Sequence, residues 1–144
     1  DVLHQLYQGI VKHLTTWCSS FINDAELDAQ LKSLPPCFGV RHFSGGWSNL
    51  SQISGKERKD MACVLLGCMV GKVLSRVITI YRALLNFLYL AQYPTHDDDS
   101  LYMEDALDLF HRHKSVLTGQ DLNIHKHLNI LKFHSMVHYM ECIK

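Results

Sequence analysis

Residues 75–93 read SRVITIYRALLNFLYLAQY, and the fold turns on how this stretch is read. Its apolar residues occupy nearly every phase of a 3.6-residue period, so as a helix it is apolar around most of its circumference, as a buried central helix must be. It does not suit a bilayer: the uncharged run from Ala83 to His96 is well short of the roughly 18 to 20 residues of a spanning helix. Pro94 and the acidic turn Asp97, Asp98, Asp99 end it. Asp99 or Ser100 then caps a helix whose stripe is Met103, Leu107, Phe110 and Leu117, with Gly119 as its stop.

Upstream, Ser54 and Glu57 form an S-x-x-E capping box ahead of MACVLLGCMVG, which predicts a helix over about residues 55–72 and a core hairpin with the segment that follows. Leu3, Leu6, Tyr7, Ile10, Leu14, Trp17 and Phe21 set the stripe of a first helix. Asn23 or Asp24 caps a short second one through Lys32, and Pro35 and Pro36 stop it. Residues 37–54, rich in Gly and Ser, read as a long ordered loop anchored by Phe38, Phe43 and Trp47. Ile130, Phe133, Val137, Met140 and Ile143 mark the face of a last helix. No strand alternation stands out, so the expected fold is all-α, a compact bundle of about five to six helices forming one domain over residues 1–144.

The 144 residues are 47% hydrophobic and 19% charged, a packed composition that excludes disorder as the main state. Fourteen basic side chains balance fourteen acidic ones, and ten histidines remain to set the charge. Without a basic excess to release counterions, a self-sufficient nucleic-acid binder is disfavoured. Five cysteines without CxxC spacing argue against a disulfide framework or a zinc ribbon and read mostly as small apolar core residues. No secretory signal opens the chain.

Histidine excess raises metal binding. His134 and His138 stand four apart on a predicted helix, a spacing that can place two imidazoles on one ion, but HSMVH lacks the Glu of HExxH. His111 with His113, and His125 with His127, diverge by about 200° on a helix and cannot chelate as pairs. The three aspartates lack the spacing of a calcium loop, and FSGGW lacks the GK[ST] of a phosphate loop. Arg58, Lys59, Lys72, Arg76 and Arg82 concentrate positive charge on the middle helices, which suits either a weak DNA-facing stripe or an ordinary solvated face.

Four strings carry a resemblance: DVLHQLYQGIVKHLTTWC at 1–18, FSGGWSNLSQISGKERKDMACVLLGCMVGK at 43–72, LLNFLYLAQYPTHDD with LYMEDALDLFHRHKS within 84–115, and KFHSMVHYMECIK at 132–144. In this order they resemble the Plavaka-type transposases of fungal DNA transposons, relatives of the CACTA group of DDE transposases. The resemblance implies a nuclear parent protein in which acidic residues on an RNase H-like sheet hold two Mg²⁺ or Mn²⁺ ions for phosphodiester cleavage and strand transfer. It also implies transposon-end DNA and self-association as the parent's partners.

By the same resemblance the chain is a fragment, the helical insertion between catalytic carboxylates, with no complete catalytic set and no cofactor of its own. Asp1 and His4 match the family's D-x-x-H motif; Asp1 is a candidate catalytic or structural carboxylate, and the pair either supports the nearby active site or binds DNA or metal in the intact protein, unless His4 is a hydrogen-bonded residue near the core. Leu131 stands where the family tends to have proline, and GQDLNIHKHLNIL departs from its shorter connection, which suits a decaying or domesticated copy. Two other expectations stand beside this one: a helical protein-interaction module, and a small metal-binding protein using His134 and His138.

Overall fold

A computed structural model describes residues 3–93, 99–117 and 136–138, and every regular element among them is helical. A π-helical stretch, Leu3–Val11, runs into α1, Lys12–Cys18. There follow α2 at Asp24–Ser33, α3 at Gly55–Met69, α4 at Ser75–Ala91, α5 at Asp99–His113, and a 3₁₀ turn at Lys114–Leu117. The chain clusters into two compact units, one of residues 3–73 and one from residue 74 onward.

In the first unit α3 packs on the π-helical stretch, and α2 packs on α3. The i→i+5 turns of a π-helix are wider than those of an α-helix. Leu6, Tyr7, Ile10, Val11 and Leu14 accordingly form a broader buried face than the stripe read from sequence, while Phe21 is only half-buried. Asn23 caps α2, its side chain accepting the Ala25 N–H at 2.8 Å. Leu34 is held extended ahead of Pro35 and ends that helix. The capping box of α3 is complete: Ser54 N–H donates to Glu57 Oε2 at 2.8 Å and Glu57 N–H to Ser54 Oγ at 3.2 Å. That helix ends at Met69, short of residue 72, because Val70 turns extended and Gly71 takes φ +77°, closing a turn in which Lys72 N–H donates to Met69 O.

In the second unit α4 packs on α5, and both meet the 3₁₀ turn. The principal partner of α3 is thus the π-helical stretch and that of α4 is α5. α4 buries Val77, Ile80, Tyr81, Leu84, Leu85, Phe87 and Leu88, and α5 answers with Met103, Leu107 and Phe110, with Leu117 beyond it. The stop at Gly119 and most of the last helix lie outside the described residues. Within residues 136–138 it is Met136 that is buried, while Val137 is exposed, which shifts the phase expected for that helix.

Residues 34–54 form the long loop, folded through turns closed by Val40 N–H to Cys37 O, Gly46 N–H to Phe43 O and Leu50 N–H to Trp47 O. Phe43 and Trp47 are buried anchors, as expected, and their rings meet edge-on at 5.9 Å. Phe38 is not an anchor. It occupies the first central position of a turn whose second is Gly39 at φ +77°, and this places its ring fully in solvent. The cysteines also divide: Cys18 and Cys68 are buried, Cys37 and Cys63 exposed, and Cys142 lies outside the described residues. Burial pushes the Cys18 thiol up to about 12, with Cys68 and Asp24 adding to the rise, so it is chemically inert.

Candidate functional site

Two places concentrate polar side chains against structure, one in each unit. The first is the long loop, and its organiser is Asp28 of α2. Asp28 is buried, with one carboxylate oxygen accepting the N–H of Trp47 at 2.9 Å and of Ser48 at 3.2 Å, and the other accepting the Ser48 hydroxyl. Burial by itself raises its pKa, but the Ser48 hydroxyl, the two amides and Lys32 together hold the carboxyl below its ordinary value.

Around this clamp further contacts fix the same block. Arg41 pairs with Glu57, which is already engaged in the capping box, and its guanidinium lies 5.5 Å from the Phe43 ring. Gln8 Nε2 donates to Ile53 O at 2.9 Å. Arg58 turns inward and donates to Thr15 Oγ1 at 2.8 Å, while the Thr15 hydroxyl donates to Lys12 O at 3.0 Å.

The clamp has a pH signature. A folded-state pKa below the unfolded value of about 3.9 adds stability that is present above that value and is lost as pH falls through the folded pKa. Asp28→Asn is therefore expected to be less stable than the parent at neutral pH by about 1 to 3 kcal/mol, with the gap narrowing below about pH 4. Urea titrations followed by tryptophan fluorescence at several pH values check this. A gap that stays constant down to strongly acid pH would mean that the charge on Asp28 does not hold the loop.

The second place is a groove of about 380 Å³ between α4 and α5. From α4 it is lined by Arg82, Ala83, Asn86, Tyr89 and Leu90, and from α5 by Tyr102, Asp105, Ala106 and Leu109. These are positions i, i+1, i+4, i+7, i+8 on one helix and i, i+3, i+4, i+7 on the other, a stripe on each beside its core-facing one. Ala83 and Ala106 are the buried members of this lining, and the exposed Arg82, Asn86, Tyr102 and Asp105 stand beside them. Arg82 and Asp105 form no ion pair among the described residues.

The structure separates the residues singled out from sequence. Asp1 lies outside the described residues, and His4 is exposed rather than near the core. Of the five middle cations, Arg58 is half-buried and bound to Thr15, and Lys72 pairs with Glu26 at 2.5 Å. Burial lowers the Arg58 pKa from its ordinary value. Lys59 and Arg76 are exposed, and Arg82 lines the groove. Arg76 and Arg82, six apart on α4, diverge by about 120° and so do not form a stripe. His134 lies outside the described residues and His138 is exposed. Among the described residues no three His, Cys, Asp or Glu side chains gather as a metal site.

Sequence reading passed over Asp28, Asn86, Tyr102 and Asp105. The signal for Asp28 was its phase, since it shares the buried face of α2 with Leu27 and Leu31, where a carboxylate requires donors from elsewhere in the chain. The groove residues could have been found as a second, partly polar stripe beside the apolar one. No family model, curated protein or solved structure matches the chain.

Proposed function

We propose that this chain is the helical insertion domain of a Plavaka-type DDE transposase, serving DNA transposition in a longer nuclear parent and cutting no DNA by itself. The observation that carries the reading is the FSGGWSNLSQISGKERKDM block: it belongs to one of the four strings that in order resemble the family, and in the first unit it is braced through Asp28, Glu57 and Arg58. Such a domain gives its parent a rigid helical body. Cleavage in the parent belongs to carboxylates and Mg²⁺ or Mn²⁺ carried elsewhere, where the ions activate the attacking oxygen and stabilise the leaving one. On this chain, DNA contact falls to Lys59 and Arg76, the exposed middle cations that neither pair with an acid among the described residues nor line the groove.

With so few phosphate contacts, binding to duplex transposon-end DNA is expected to be weak, with log K falling against log salt at a slope of about −1 for each cation engaged. Titration at several salt concentrations measures the slope, and Lys59→Gln should flatten it by about one. Incubation with Mg²⁺ or Mn²⁺ should leave the DNA intact, and nicking by the purified chain would overturn the reading.

A second reading, a protein-interaction module, is favoured by one observation: Phe38 stands fully exposed on a turn that follows Pro35 and Pro36 and is completed by Gly39 at φ +77°. A preordered aromatic of this kind suits a partner's apolar pocket. A complex insensitive to salt and lost in Phe38→Ser, without measurable DNA affinity, would replace the first reading by this one.

A further inference from the structure

We infer that the groove between α4 and α5 is a binding site for a ribonucleoside 5′-monophosphate. This inference is independent of the transposase reading. It begins with size: about 380 Å³ falls at the lower end of the range of small-molecule sites and suits a single heterocycle with its sugar and phosphate. An amphipathic helix needs a longer trough, and a fatty chain would strip water from Asp105 and Asn86 without giving them a partner.

The order of the groups along the groove is the second step. α4 ends at Ala91 and α5 begins at Asp99, and so short a connection makes packed neighbours antiparallel. In that register Tyr89 and Tyr102 share one end, Asn86 and Asp105 the middle, and Arg82 the other end. From Arg82 to Leu90 the helical rise spans about 12 Å, the reach of an extended mononucleotide.

Each group then has a chemical task. The tyrosine end offers an aromatic face to a base, and Tyr102, well over half exposed, is free of the core. At the centre the Asp105 carboxylate, an acceptor only, matches the two donors of a ribose diol, and Asn86 offers both a donor and an acceptor beside it. At the far end the guanidinium of Arg82, without a carboxylate partner among the described residues, matches a phosphate in forked geometry. A ligand with an aromatic plane, a diol and an anion in that order answers all three.

The test uses the full chain and adenosine 5′-monophosphate, followed by calorimetry and by shifts of the tyrosine ring signals. Saturable binding at or below about 1 mM is expected. Adenosine, lacking the phosphate, should bind about tenfold more weakly, and the 2′-deoxy monophosphate about fivefold more weakly. Arg82→Gln should weaken the monophosphate to the level of adenosine, and Asp105→Asn should erase the preference for ribose. Tyr102→Ala should reduce affinity for all three ligands. All three side chains are exposed, so circular dichroism should show the variants folded. No saturable binding up to about 5 mM, or binding that none of the three variants alters, would overturn the assignment.

Discussion

Gly46→Ala is expected to destabilise the first unit by about 3 to 5 kcal/mol, the largest effect of any single methyl in the loop. Two costs add. Gly46 holds φ +76°, a left-handed conformation that costs a residue with a side chain about 1 to 3 kcal/mol. A Cβ there would also overlap Cγ and Oδ1 of Asp28 and lie 2.6 Å from its Cβ, so the carboxylate must move off the amides of Trp47 and Ser48. Losing donors from a buried carboxylate costs about 1.5 to 3 kcal/mol. The two costs separate in a double-mutant cycle. In an Asp28→Gly background the overlap is gone, and Gly46→Ala should cost only the backbone share, about 1 to 3 kcal/mol. Both tryptophans lie in this unit, so fluorescence-detected urea titration reads each corner of the cycle. Equal costs in the two backgrounds would remove Asp28 as the obstacle, and a cost below about 0.5 kcal/mol would remove the strained turn as well.

That pair of residues also shows what sequence could and could not disclose. α4 was legible because its evidence is local: apolar side chains at every phase leave a helix nowhere to sit but inside. The Ser54 and Glu57 box was legible for the same reason, since both partners lie within one turn. Asp28 and Gly46 are separated by a helix end, two prolines and a turn, and nothing in either residue names the other. Aromatic residues are usually buried, which predicts an anchor at Phe38, while Gly39 next to it reverses the chain and turns the ring outward. The same limit governs the cations. Arg58 and Lys59 are indistinguishable by composition, yet one step of 100° along α3 sends the first to Thr15 and the second to solvent. The groove between α4 and α5 joins residues from two segments whose register follows from packing, so its polar members look in sequence like ordinary surface positions.

Phe87→Ala is expected to remove most of the stability of the second unit. Phe87 has no exposed surface and stands on the helix that carries most of the unit's core. Truncating a buried Phe costs about 3 to 5 kcal/mol, combining lost transfer energy with the cavity left behind. At roughly 0.05 to 0.15 kcal/mol per residue, a unit of this length is held by only about 4 to 10 kcal/mol, so the loss is a large fraction of the total. Phe87→Leu retains most of the apolar volume and should lose about 1 to 2 kcal/mol, while Arg82→Gln on the open face should change stability by less than about 0.5 kcal/mol. Tryptophan fluorescence is blind here because Trp17 and Trp47 belong to the first unit, so amide exchange along α4 is the proper measure. Exchange in Phe87→Ala should accelerate at Tyr81, Leu84 and Leu88 together, since a helix buried around most of its girth opens as one element. Acceleration confined to the turn next to residue 87 would mean that α4 is held by its own backbone and not by what surrounds it, and an apolar circumference would then cease to imply a central helix.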